Sequence, residues 1–117
     1  MLEIKKLQKK FRNGTHALKS VSFKVKKGEF ISILGPSGSG KTTLLRSING
    51  LENIEKGEII FNKNKINTNS LLDVQRKTGM IFQEFNLINN LSSINNVLTG
   101  LLNSSSNFLC SSFILTI

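Results

Sequence analysis

Residues 35–42 read Gly35-Pro36-Ser37-Gly38-Ser39-Gly40-Lys41-Thr42. The spacing is G-x-x-x-x-G-K-[ST], the pattern of a loop that cradles nucleotide phosphates. Gly38 and Gly40 allow backbone torsions that a side chain would oppose, and they let amide N–H groups approach phosphate oxygens. Lys41 is a flexible point charge able to reach β- and γ-phosphates. The Thr42 hydroxyl suits Mg²⁺, which keeps most of its shell as water and phosphate oxygen.

The flanks set this loop in its required context. Before it, Glu29-Phe30-Ile31-Ser32-Ile33-Leu34 is an apolar run between Gly28 and Gly35. It predicts a buried strand. After it, Leu44, Leu45 and Ile48 fall at helical spacing, and Gly50 is a natural stop. Strand, loop and helix N-terminus therefore follow in order, and the helix dipole aims its positive end at the phosphates. The bland alternative, an accidental Gly-Ser turn, explains neither flank.

The chain has 117 residues, enough for one small domain. Sixteen basic against 7 acidic residues give a net charge of +9. The lysines are scattered and not interleaved with exposed aromatics, so solvated strand edges explain them better than nucleic acid does. A single cysteine, Cys110, forms no internal disulfide and fits a reducing compartment. The first residues, Met1-Leu2-Glu3-Ile4-Lys5-Lys6, hold no apolar core of a secretory signal. No apolar run approaches the roughly 20 residues that span a bilayer. A cytoplasmic protein is the expectation.

Further strands are expected at Leu2–Leu7, before a turn at Phe11-Arg12-Asn13-Gly14, and at Val21–Lys26, with Val21, Phe23 and Val25 facing in. Gly57–Phe61 reads as another strand, 51–56 and 63–69 as loops, and Leu71–Lys77 as a short helix. Gly79–Gln83 reads as a buried strand that places Gln83 at its carboxyl end, where open α/β sheets put ligands. A helix should start at a serine cap, Ser92 or Ser93, with Ile94, Val97, Leu98, Leu101 and Leu102 forming its apolar stripe.

Glu84 is the last charged residue. From Asn103 the composition turns to Ser, Asn and then apolar residues, an aggregation liability if exposed. A core strand, an interfacial segment and an out-of-frame tail all fit it. The last is favoured because no helix or strand pattern leads into it.

Taken together, these motifs resemble the nucleotide-binding subunit of an ATP-binding cassette (ABC) transporter. The stretch from His16-Ala17-Leu18 through Gly28-Glu29, the loop, and Leu44–Leu51 look like the start of that domain, and Ile81-Phe82-Gln83 looks like its Q-loop strand. More narrowly, Gly79–Ile88, Leu91-Ser92 and Asn96–Gly100 are similar to the ATPase subunit of phosphonate importers. The implied fold is α/β and P-loop NTPase-like: the N-terminal part of an ABC nucleotide-binding domain, with a mixed sheet around the phosphate-loop helix. Residues 1–102 would form that partial domain and residues 103–117 an atypical uncharged tail.

The resemblance implies ATP and Mg²⁺ as ligands. Gly35, Pro36, Ser37, Gly38, Ser39, Gly40, Lys41, Thr42 and Thr43 would hold the phosphates. Phe11 matches the aromatic, usually tyrosine, that stacks on adenine; its other reading is a core aromatic. Gln83 matches the glutamine that touches Mg²⁺ or the attacking water, and its other reading is a polar strand end. Lys41 and Gln83 are the catalytic candidates, Thr42 and Gln83 the metal candidates. Permease subunits and a second ATPase subunit are the implied partners, on the inner face of the cell membrane.

The family's signature helix, the Asp-ending strand, the Glu that follows it and the switch His have no counterpart here. The one Asp, Asp73, precedes the Q-loop, and the one His, His16, lies near the start. Phosphoryl transfer is mostly positioning and charge stabilisation. Without these groups the chain is expected to bind nucleotide but hydrolyse little alone. The family's core sheet draws strands from both halves of its domain, so uncovered strand faces are expected here.

The alternatives are an ABC ATPase for another solute, a non-hydrolysing nucleotide-binding relic, and a binding module whose apolar tail enters a membrane or partner. A P-loop kinase is disfavoured, because no acceptor site is visible.

Overall fold

The computed structural model describes residues 1–67, 70–82, 86–100 and the backbone of 113–116. It divides into two compact units, residues 1–75 and 76–117.

In the first unit, β1 (Leu2–Lys10) and β2 (His16–Val25) form an antiparallel hairpin, and β3 (Lys56–Phe61) pairs antiparallel with the other edge of β1. Pairing places Leu2 between Val25 and Phe61, and Ile4 opposite Ile59. Directly opposed residues share a face, and all five side chains are buried. Full burial of each such side chain is worth about 1.5–3 kcal/mol.

Strict alternation would turn Leu7 away from Leu2 and Ile4. It is nonetheless completely buried. Lys6 has φ 47°, and the β1–β2 register shifts between Ile4 and Leu7, so a bulge swaps the faces. The Lys6 N–H donates to Ser22 Oγ at 2.7 Å. A similar break at Ser20, φ 67°, separates buried Leu18 from buried Val25 and leaves Val21 and Phe23 only half-buried.

The expected loop after β3 contains a two-residue strand, β4 (Asn64–Lys65). Asn62 and Lys63 have φ 48° and 72°, as a type I′ hairpin turn requires. The sheet order is β2-β1-β3-β4.

Helix α1 (Lys41–Ile48) lies against β2 and buries Leu44, Leu45 and Ile48. It ends where the sequence says it should. Gly50, at φ 68°, donates to Ser47 O, and Leu51 donates to Arg46 O, closing a Schellman motif. A Cβ on Gly50 would also meet Leu71 Cδ1 at 2.0 Å. Helix α2 (Leu71–Lys77) buries Val74, and Gln75 Nε2 donates to Asn49 O at 3.1 Å.

One expectation fails here. Residues 29–34 form no strand, and Phe30 is 94% and Leu34 89% exposed. A fully apolar strand gains its free energy from neighbours on both edges and both faces. Among the described residues no strand lies beside this segment.

The second unit contains β5 (Thr78–Ile81), paired in parallel with β6 (Phe113–Thr116), and α3 (Ser93–Thr99). Part of the uncharged tail is thus a strand; residues 103–112 lie outside the described residues. β5 is half-buried where a buried strand was expected, and Ile81 is exposed, since β6 is its only strand neighbour among the described residues. Ser92 caps α3 as expected, accepting from the Asn95 N–H at 3.3 Å. Its stripe of Ile94, Val97 and Leu98 is exposed, and Leu101 and Leu102 lie outside the described residues. Among the described residues no helix is long and apolar enough to cross a membrane.

Candidate functional site

The loop of residues 35–40 passes directly into α1. Ser39 N–H donates to Pro36 O at 3.3 Å, making a tight turn. Gly38 and Gly40 have φ 77° and 91°. Gly40 is the N-cap of α1, and a Cβ there would lie 2.3 Å from Ala17 O of β2. Its glycine is therefore required twice, by torsion and by the backbone passing beneath it.

The first-turn amides of a helix have no partners inside it. Here no side chain caps them, and the first turn of α1 carries no acidic residue. The positive end of the helix is thus open to an external anion. Lys41 Nζ donates to Gly35 O and Pro36 O at 2.8 Å each, with Ser39 Oγ at 3.5 Å. The ammonium lies over the loop on neutral acceptors, which hold a cation less strongly than a phosphate oxygen does. Thr42 is exposed and Thr43 half-buried on the same first turn, while Ser37 is exposed in the loop. Amides, ammonium and hydroxyls thus lie along one loop and the helical turn that follows it.

A cleft of about 510 Å³ opens beside the loop, lined by His16, Lys19, Ile33, Ser39, Lys41 and Leu44 among others. His16 is exposed at the start of β2 and reaches this cleft. Phe11 follows β1 and is half-buried. Its N–H donates to Thr15 O and its carbonyl accepts from Gly14 N, both at 2.9 Å, so a turn fixes its backbone. Lys9 Nζ sits 5.1 Å from the Phe11 ring centroid. The sequence reading overlooked Lys9, although its spacing of two from Phe11 is the signal for a shared face in extended chain.

The metal candidates are less assembled. Thr42 offers one hydroxyl, and Gln83 lies outside the described residues. No group of three His, Cys, Asp or Glu suited to a metal ion occurs among the described residues. Asp73 sits in the first turn of α2. What fits Mg²⁺ here is a single hydroxyl beside a phosphate cradle, an arrangement in which phosphate and water supply the remaining ligands.

The family model described as "ABC transporter" matches residues 18–112, from the buried Leu18 of β2 through the loop and beyond. The chain belongs to the ABC transporter family. The phosphonates import ATP-binding protein PhnC of Lactobacillus johnsonii is 45% identical over 103 residues, which cover 86% of this chain and 41% of the relative. A probable amino-acid ABC transporter ATP-binding protein of Haemophilus influenzae is 42% identical over 109 residues, covering 86% and 42%. Among solved structures, the dimeric post-hydrolysis state of the ATP-binding cassette MJ0796, bound to ADP and Pi, superposes with a TM-score of 0.81. That match is 36% identical and covers 92% of this chain and 50% of MJ0796. The fold is therefore that of the N-terminal part of an ABC nucleotide-binding domain, and the ABC chain spans about two fifths of the length of the curated relatives it matches.

Proposed function

We propose that this ABC chain binds Mg-ATP as the ATP-binding element of an importer, with a phosphonate as the transported solute. The observation that carries the nucleotide reading is the open, uncapped start of α1 with the Lys41 ammonium held on the carbonyls of the loop before it. Gly35 through Thr43 hold the triphosphate, Lys41 neutralises its β- and γ-oxygens, and Thr42 supplies a hydroxyl to Mg²⁺. When bound, that ion polarises the phosphoryl oxygens. Phe11 stacks on the base. Gln83 is assigned to the metal or the attacking water from the resemblance alone.

The phosphonate reading rests on the names of relatives such as that of Lactobacillus johnsonii. A second reading, amino-acid import, is supported by the Haemophilus influenzae relative at 42% identity. In either case the partners are permease subunits and a second ATPase subunit, the latter in keeping with the dimeric MJ0796 structure. On this reading the chain works on the cytoplasmic face of the membrane. Hydrolysis requires groups that residues 1–117 do not provide, so the chain by itself binds ATP and releases little phosphate.

Calorimetric titration with Mg-ATP tests the site. Lys41→Ala removes charge-assisted hydrogen bonds worth about 1.5–3 kcal/mol, and is expected to weaken binding at least tenfold. Equal binding by both proteins overturns the assignment. Co-purification with permease subunits of a phosphonate or a polar amino-acid system separates the two solute readings.

A further inference from the structure

We propose that Lys9 is a positioning residue for the nucleobase, holding the Phe11 ring from one side so that a purine stacks on the other. This rests on the stacking role proposed above for Phe11. The sequence pattern and the family resemblance assign Lys9 nothing.

Lysines normally extend into water along an apolar stem. Lys9 does not. Its side chain is only 12% exposed, and its ammonium has three partners. Glu52 Oε1 is 2.7 Å away, Asn53 O accepts from Nζ at 2.7 Å, and the Phe11 centroid lies at 5.1 Å. Ordering a lysine this fully costs rotamer entropy. A surface ion pair by itself recovers little of that. The ring contact, within the range of a cation–π interaction, is the additional return.

The anchors on either side are firm. Glu52 follows α1, and the N–H groups of Leu51 and Glu52 both donate to Arg46 O in that helix. Glu55 N–H donates to Gln8 O at 3.0 Å, fastening the same segment to β1. The Phe11 backbone is fixed by its turn to Thr15, and the next residues, His16 and Ala17, start the strand that runs under Gly40. Lys9 thus ties the ring to the end of the phosphate-loop helix, while β2 ties the ring's turn to the start of that helix.

Two consequences follow for a stacked base. A ring already held in its binding orientation forfeits less freedom when the ligand arrives. A cation on one face also draws π density toward itself, which lessens repulsion between the opposite face and an electron-rich purine.

Paired titrations with Mg-ATP and with inorganic tripolyphosphate plus Mg²⁺ read the base-dependent part of binding. Lys9→Met is expected to weaken ATP about fivefold, within the range of a cation–π contact, and to leave tripolyphosphate unchanged. Lys9→Arg, which keeps the cation, should restore ATP binding. Equal weakening of both ligands, or of neither, overturns the inference. Glu52→Gln keeps the cation but loosens it, so it decides the matter if Lys9→Met does not fold: a smaller loss confined to ATP supports the role, and an unchanged ratio of the two affinities refutes it. Phe11→Ala separates the two layers. Loss of ATP preference in Phe11→Ala but not in Lys9→Met defeats only the Lys9 role. An unchanged preference in Phe11→Ala defeats the stacking reading beneath it.

Discussion

Residues 1–75 and residues 76–117 use similar apolar side chains to opposite effect. In the first unit Leu2, Ile4, Leu7, Leu18, Val25, Ile59 and Phe61 are buried in cross-strand rows, with Leu44, Leu45, Ile48 and Val74 from the helices. In the second, none of residues 76–82 and 86–100 is buried, and Ile94 and Val97 are 72% and 74% exposed. The difference is one of topology. In the first unit β1 has an antiparallel partner on each edge, whereas the parallel strand and the amphipathic helix of the second need surfaces from elsewhere. Apolar pattern alone states that a face wants cover; only the rest of the fold states whether it gets it.

The comparison breaks most visibly under truncation of matched side chains. Leu7→Ala is expected to cost about 2–5 kcal/mol in urea unfolding, and Ile94→Ala to stay within about 0.5 kcal/mol. A cost for Ile94→Ala equal to that for Leu7→Ala would mean the α3 stripe is covered in solution.

The same contrast marks what could be read from residues alone. The strands at Leu2, Val21 and Gly57 were legible from their own apolar spacing, although β3 finds its partner β1 far away in the chain, and the stop at Gly50 and the serine cap at Ser92 because each depends on neighbours within a few positions. Residues 29–34 were not. Their run of Phe30, Ile31, Ile33 and Leu34 carries a strand's pattern, but a strand is a statement about ladders, and no partner lies beside it among the described residues. The bulges at Lys6 and Ser20 were hidden for another reason: non-glycine residues with positive φ leave little mark in composition. At the candidate site, the turn of residues 35–40 and its passage into α1 were legible, since the positive-φ glycines Gly38 and Gly40 are set by local geometry. Lys9 was overlooked because its partners, Glu52 and Asn53, come from a distant stretch.

A smaller effect sharpens the picture of the second unit. Asn96 is its main polar fastening: Oδ1 accepts from Ile88 N–H at 2.8 Å, and Nδ2 donates to the carbonyls of Ile88, Leu91 and Ser92. Asn96→Ala should free residues 88–92 at a local cost of about 1–2 kcal/mol. Hydrogen exchange would show those amides faster and the β1–β3 amides unchanged. Faster exchange throughout residues 1–75 would contradict a local role for Asn96.

The smallest effect is acid sensitivity of the first unit. The hydrogen bond from Lys24, and then its charge and that of Lys5, hold the Glu3 carboxyl below its ordinary value of 4.5. Lys65 does the same for Glu58. A depressed carboxyl contributes stability above its unfolded value and loses it as pH falls through the folded one. Melting temperature should therefore decline slightly more steeply below pH 4.5 in the native chain than in Glu3→Gln. Identical slopes would remove Glu3 from the account.

The most direct measurement is a crystal structure of the chain with Mg²⁺ and a nonhydrolysable ATP analogue. The β-phosphate is expected to be ringed by main-chain N–H groups of residues 38–43, with Lys41 Nζ drawn from the Pro36 carbonyl onto phosphate oxygen. A nucleotide bound elsewhere, with Lys41 still on Gly35 and Pro36, would contradict it.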